Sequence, residues 1–566
     1  MAEIYAGRGG FQGALLAARE DLPLAGTRMK KVAIGLVVVG VLVLAGVMVF
    51  KRSSGPSQAA SLAPAESVFF ANVPNIPLTG FRWTRTALAR IAAEPEMRAF
   101  LNKPLTDFKE APANKEAMEI LTKLKPGNVY FAATNESEKD FQGILGVQFW
   151  GKREDFDNAA SKVRSFLSES SGDPTREEYR GLQILSTRHG DLTLYSAAAG
   201  RWGFFSNDAA LIKEAIDRAT GNAPSPALAA NPKFLKVVTE LLAEPDLLVF
   251  IQPEKAVDAL LAAGRAAGAM EIPEQVDQLK STEAAGGSWK IDGEMFRDAF
   301  FLLRPGTGDP AEPMSHQSIA LTTPETTLFF NFVLNFSSLP DWLERVTEFY
   351  PDAAQMIGPM AKSVAEGYGP ECALIGSLES PEAPASLLLA IQVRNPGQGI
   401  PGVTQAGGSP TQVHQIPHPL MPVSAVQNEK FLILGTDPKS VTIALEEHSK
   451  TLQDAPLFRD ARQSFRNSNE AFCFLDTRVV FERAYGALLP IVKMSAAIMP
   501  DITNRIDISK LPHPETIGQH LPPIVFSQKR TADGTRLESS GPVNMSQFLI
   551  LAGTLSAGMQ GSLLSL

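Results

Sequence analysis

The chain has 566 residues, of which 44% are hydrophobic and 20% charged. That composition excludes a disordered polymer and implies about two to four globular domains. The net charge of −9 argues against a nucleic-acid partner, and two cysteines exclude a disulfide framework or a cysteine-built metal site.

Residues 1–31 read as a cytoplasmic tail. Val32 to Phe50 follows with sixteen apolar residues, three glycines and no polar side chain. At about 1.5 Å per residue a helix of that length spans roughly 28 Å, close to one hydrocarbon core. Residues 32–50 are therefore predicted to be a transmembrane helix and the chain's contact with the membrane. Arg19, Arg28, Lys30 and Lys31 precede it, against Lys51 and Arg52 after it. This asymmetry predicts a single-pass inner-membrane protein with a cytoplasmic N-terminus and a periplasmic bulk. A cleaved signal peptide is the rival reading. Residues 51–63, small and polar, read as a flexible tether.

Beyond the tether the chain shows the same local grammar twice. Pro64 to Phe70, PAESVFF, matches Pro324 to Phe330, PETTLFF. Each is a proline-opened turn before a β-rich run. A helical stretch over 83–124 follows in the first half and over 339–368 in the second. Paired strands are predicted over 128–134 with 141–150, and over 371–378 with 385–394. The first half adds a helix over 155–167. Asp208 and Asp437 then read as helix caps, with Pro438 at a first helical position. DLLVFIQPEKAVDALL (246–261) matches EAFCFLDTRVVFERAY (470–485), and Asp292-Gly293 and Asp533-Gly534 each read as a hairpin turn. Matches in the same order predict an internal duplication. The fold class expected is α+β: the transmembrane helix, then two similar α+β domains, 64–310 and 311–545, with mainly antiparallel sheets. Residues 546–566 form an uncharged, apolar C-terminal tail, read as packed or loosely ordered rather than as a second span.

No nucleotide-binding, nucleophile-elbow or zinc-protease motif is present. Gly286-Gly287-Ser288 lacks the second flanking glycine of a nucleophile elbow and precedes a strand. His414 and His418 are four apart, but Pro417, Pro419 and Pro422 forbid the helix that would join them as a metal pair. His513 and His520, in LPHPETIGQHLPP, read as turn and cap residues. Cys372 and Cys473 lie in apolar runs, as buried thiols or a single disulfide. Phenylalanine dominates the aromatics and reads as core, whereas Trp150 and Trp202 end or interrupt strands and are candidate ligand contacts. No catalytic, cofactor-binding or metal-binding residue is assigned, and no cofactor is expected.

Leu62-Ala63-Pro64-Ala65-Glu66-Ser67, with Glu94 to Leu101 (EPEMRAFL) and the closing LPHPET of 511–516, resembles a bacterial family of unknown function. Its members are single-pass envelope proteins whose exported region opens on such a turn before a strand. The resemblance implies a membrane location and an α+β fold; it implies no site residues. The function expected is a non-enzymatic binding or scaffolding module with a protein or envelope-polymer partner, which predicts an exposed apolar patch or groove on at least one half. The alternatives are an envelope hydrolase, which needs converging Asp, Glu, His or Ser, and a lipid or small-molecule carrier, which needs an enclosed apolar cavity.

Overall fold

The computed structural model describes residues 56–544 except 111, 135–141, 168–173, 190–191, 224, 256–281, 307–313, 335, 337–362, 379–384, 397–412, 417–422, 447, 464, 466–467 and 499–506. In the first half the strands are β1 (Phe69–Val73), β2 (Pro126–Thr134), β3 (Gln142–Phe149), β4 (Thr175–Tyr179), β5 (Leu182–His189), β6 (Leu192–Ala199), β7 (Trp202–Ser206), β8 (Leu247–Ile251), β9 (Ala284–Asp292) and β10 (Met295–Leu303). In the second half they are β11 (Leu328–Val333), β12 (Tyr368–Ser377), β13 (Ser386–Val393), β14 (His414–Ile416), β15 (Val423–Gln427), β16 (Phe431–Gly435), β17 (Ala471–Leu475), β18 (Ile524–Thr531) and β19 (Gly534–Gly541). The helices are α1 (Pro56–Ala60), α2 (Ile76–Trp83), α3 (Ala87–Ala93), α4 (Pro95–Glu110), α5 (Pro112–Leu124), α6 (Arg153–Leu167), α7 (Ala209–Ala219), α8 (Pro232–Thr239), α9 (Pro438–Leu445), α10 (Pro456–Gln463), α11 (Thr477–Ile498) and α12 (Pro514–Gly518).

Among the described residues all nineteen strands belong to one sheet. Across the first half the order is β4-β5-β6-β7-β3-β2-β1-β8-β9-β10, with every pairing antiparallel. The second half runs β19-β18-β17-β11-β12-β13-β16-β15-β14, again antiparallel throughout. Among the described residues, each strand of the first half except β4 has a counterpart in the second. β10 pairs with β19 from Phe296↔Gly541 to Leu303↔Gly534 and joins the two halves. At the middle of that pairing the buried Ser539 hydroxyl donates to the buried Asp298 carboxylate at 3.3 Å.

This corrects the expected fold class. Two domains with separate sheets do not form, because the closing hairpins β9–β10 and β18–β19 pair with each other through their outer strands. The expected transmembrane helix, 32–50, lies outside the described residues, as do the tails 1–31 and 546–566. Among the described residues no helix is long and apolar enough to cross a membrane, so the structure does not support a single-pass inner-membrane location. The tether reading also fails where the structure describes it. Residues 56–60 are helical, and Ala59, Ala60, Leu62 and Ala63 are buried against the first-half core. Their small side chains permit this close approach, although the composition imitates a linker.

Local signals act where the sequence places them. The Asp208 carboxylate accepts from the N–H groups of Ala210 and Leu211, and Asp437 accepts from Ser440 N–H with Pro438 beginning the helix. Each cap satisfies donors that the first helical turn leaves unpaired. The cores are aromatic. Phe70, Phe204, Phe250 and Phe301 are fully buried in the first half, as are Phe329, Phe458, Phe472 and Phe474 in the second. Phe458 of α10 meets Phe472 and Phe474 edge-on at 5.8 and 5.1 Å. Burying such a ring contributes about 1.5–3 kcal/mol.

A second contact closes the halves on one another, and it unites two of the motifs noted in the sequence. Glu94 Oε1 lies 2.6 Å from His520 Nε2, and the Glu96 carboxylate accepts from His513 N–H and the Thr516 hydroxyl. The backbone bond from His513 and then the hydroxyl of Thr516 hold the Glu96 carboxyl below the usual carboxylate range.

Candidate functional site

At one end of β3, three chain segments converge. The first is the C-terminal end of α5. Pro126 cannot continue that helix, and Lys125 ends it in the left-handed conformation, φ 49°. The second is the turn Trp150-Gly151-Lys152 between β3 and α6. Its Trp150 and Gly151 N–H groups donate to the carbonyls of Lys125 and Leu124 at 3.1 and 3.0 Å, capping α5. Gly151 is required for this approach, since a Cβ there would stand 2.3 Å from the Lys123 carbonyl oxygen. The Asp155 carboxylate, in the first turn of α6, reaches back to accept from Lys152 N–H at 2.8 Å. The third segment is the β6–β7 turn, where Gly200 has φ 58° and Arg201 projects. The Arg201 guanidinium donates to the Gly151 carbonyl at 3.3 Å.

Together these segments line an open cleft of about 700 Å³. Lys123, Lys125, Lys152, Arg153 and Arg201 contribute cations to it, against a single carboxylate, Asp155. Lys123 is paired with Glu119 at 2.7 Å and Arg153 with Asp157 at 3.3 Å, all four side chains being exposed. The hydrogen bond and charge of Glu119 raise the Lys123 ammonium further above its ordinary pKa, so it stays charged. Neither Lys152 nor Arg201 has a carboxylate partner among the described residues. Trp150 is 43% exposed in the cleft. Its indole is held against Gly127, where a Cβ would stand 2.6 Å from Nε1, and the Arg201 guanidinium lies 5.9 Å from the ring centroid.

Of the two tryptophans singled out in the sequence, only Trp150 reaches a surface site. Trp202 is buried, stacked on Phe204 and close to Tyr130. The other candidates do not converge. Ser288 is buried in β9, where its hydroxyl accepts from Leu242 N–H. His414 is on the edge strand β14, and His418 lies outside the described residues. Cys372 and Cys473 are free thiols on β12 and β17, with β11 between them. Two strand spacings, roughly 9–10 Å, exceed disulfide reach. Burial pushes both thiols up to about 12, so neither is a ready nucleophile. Among the described residues no group of three His, Cys, Asp or Glu could hold a metal ion. On α11, Leu488, Ile491, Val492 and Met494 are exposed.

One buried carboxylate was not anticipated. Glu371 on β12 is fully buried and accepts from both Ser315 and Ser318 hydroxyls and from the N–H groups of Gln317 and Ser318. Burial pushes this carboxyl up, but those hydrogen bonds outweigh it and hold it below the usual carboxylate range. His316, beside it, is held below the ordinary imidazole value by burial and by the Arg462 charge. All of the carboxylate's contacts go to the turn 315–318, so the arrangement anchors that turn to the sheet.

Lys125 offers a local test. A left-handed lysine costs on the order of 1 kcal/mol that glycine avoids. Lys125→Gly is expected to hold or raise the urea midpoint. A clearly lowered midpoint would contradict this.

A family model described as a protein of unknown function (DUF3352) matches residues 31–299. This supports the resemblance to a family of unknown function and is silent on anchoring and on the envelope. The match ends at Ala299, inside β10. No curated protein matches the chain. Solved structures of TP0453 in crystal forms III, IV and I are similar at 10% identity and TM-scores of 0.26, 0.25 and 0.23. Each covers 44% of this chain and, respectively, 82%, 81% and 79% of its own.

Proposed function

We propose that the protein is a binding module that holds an anionic ligand in the cleft between α5 and α6. The observation that carries this is the convergence of five cations in the cleft, Lys123 and Arg153 paired with Glu119 and Asp157 but Lys152 and Arg201 with no carboxylate partner among the described residues, in a chain whose net charge is −9. A local field opposed to the overall charge concentrates anions at that one place. The lining supports binding rather than hydrolysis: it contains no histidine or serine and only the single carboxylate, which caps α6. Its openness fits a polymer segment better than an enclosed small molecule. We also read residues 64–310 and 311–545 as two copies of one module, a reading supported by their shared strand order. In that reading the second copy has diverged at the cleft. Arg394 and Asn395 follow β13 where Trp150 and Gly151 follow β3.

The test is titration with inorganic polyphosphate at several salt concentrations. The combined substitution Arg201→Gln and Lys152→Gln is expected to weaken binding about tenfold or more and to lower the salt slope by about two, one per lost contact. Absence of binding by the unaltered chain, or equal binding by the variant, would overturn the reading.

A further inference from the structure

Resting on that anion-binding reading, we infer that the cleft takes an acidic glycan, with one sugar ring laid on Trp150 and its anionic group on Arg201 and Lys152. A site for a bare phosphate needs cations and N–H groups; it has no use for an exposed indole. Exposing a tryptophan forfeits burial that a core position would supply. Here the ring is nevertheless held in place. Its backbone N–H is tied to the Lys125 carbonyl at 3.1 Å, and its Nε1 edge is packed over Gly127. Arg201 is positioned by its bond to the Gly151 carbonyl and stands 5.9 Å from the ring centroid. The flat apolar surface and the cation are thus presented together, in one geometry, before any ligand arrives. Preorganisation of this kind lowers the entropy lost on binding.

A sugar ring with a carboxylate or phosphate substituent matches both parts. Its C–H face covers the indole, and its anion meets the guanidinium and the Lys152 ammonium. Single-stranded nucleic acid shares that chemistry, but its binding proteins line up several aromatic rings for successive bases. The other aromatic lining this cleft, Phe149, is buried in the core. One ring accommodates one sugar, while the remaining cations extend the site along a charged chain.

The experiment compares four probes on the full chain by calorimetry: tetragalacturonate, the neutral tetrasaccharide maltotetraose, polyphosphate and oligo-dT. Tetragalacturonate is expected to bind more tightly than maltotetraose. Trp150→Ala is expected to weaken the acidic glycan about tenfold while leaving polyphosphate within about twofold, and Trp150→Phe to restore part of the loss. Unchanged tetragalacturonate affinity in Trp150→Ala would overturn this inference and leave the anion site standing. Tighter, Trp150-dependent binding of oligo-dT would overturn it in favour of a nucleic acid. If neither polyphosphate nor tetragalacturonate binds the unaltered chain, the proposed function itself fails.

Discussion

Gly534→Ala is expected to lower the stability of the whole chain by about 3–5 kcal/mol, a severe loss for one methyl group on a sheet. Gly534 opens β19 opposite Leu303 of β10, with φ 152°. A Cβ there would stand 2.0 Å from the Leu302 carbonyl oxygen and 3.0 Å from its carbon. Both atoms are backbone, so no side chain can rotate away; one strand must move. Moving it strains the pairing that joins the two halves, together with the adjoining bond from Arg304 N–H to the Asp533 carbonyl. Gly293, in the corresponding hairpin of the first half, is the control. Its φ is 64°, and a Cβ there would meet nothing within 4 Å. Gly293→Ala is expected to cost only about 1–2 kcal/mol, the ordinary penalty of a left-handed residue. Urea unfolding of the two variants decides the matter. Equal costs would show that the junction tolerates separation of β10 and β19.

Glu371→Ala is expected to cost a similar amount, about 3–5 kcal/mol, by leaving two buried hydroxyls and two N–H groups without their acceptor. Its effect on pH dependence is distinctive. The folded carboxyl titrates below its ordinary range, so the unfolded chain binds its proton more readily. The stabilisation is therefore present above the ordinary carboxylate pKa and is lost as pH falls through the lower folded value. Between neutrality and pH 3 the unaltered chain should lose stability more steeply than Glu371→Gln, which carries no titrating group there. Parallel stability profiles would show that the carboxylate titrates no differently in the folded chain.

Much of the strand and turn grammar was legible. The pairs β2–β3 and β12–β13, the caps at Asp208 and Asp437 and both Asp-Gly hairpins follow from patterns a few residues long. The union of the sheets was not legible, because nothing in β10 or β19 distinguishes an outer strand that pairs from one that faces solvent. The helix at 56–60 was hidden by composition, since alanine and serine serve equally in a linker and in a close-packed contact. The cleft was half visible. Trp150 stood out as a residue, but its cations come from three segments between Lys123 and Arg201, and the sequence does not show that these segments share one end of the sheet. Trp150 and Trp202 read alike in sequence; only the fold shows that one is a surface residue and the other core. Glu371 was missed because a lone glutamate in an apolar run carries no signal of its partners. The serines at 315 and 318 are a full strand connection away.

The pairing of β10 with β19 also has a consequence in time. The ribosome completes β10 at Leu303 and reaches Gly534 only 534 − 303 = 231 residues later. At about 5–20 residues per second, that edge waits roughly 10–50 s for its partner. Throughout that interval a nascent chain can display eight residues of unpaired backbone, at a strand able to accept the same strand of a neighbour on the same messenger. Fast translation, or a chaperone that covers this edge, would favour pairing within one chain, and slow translation would favour pairing between chains.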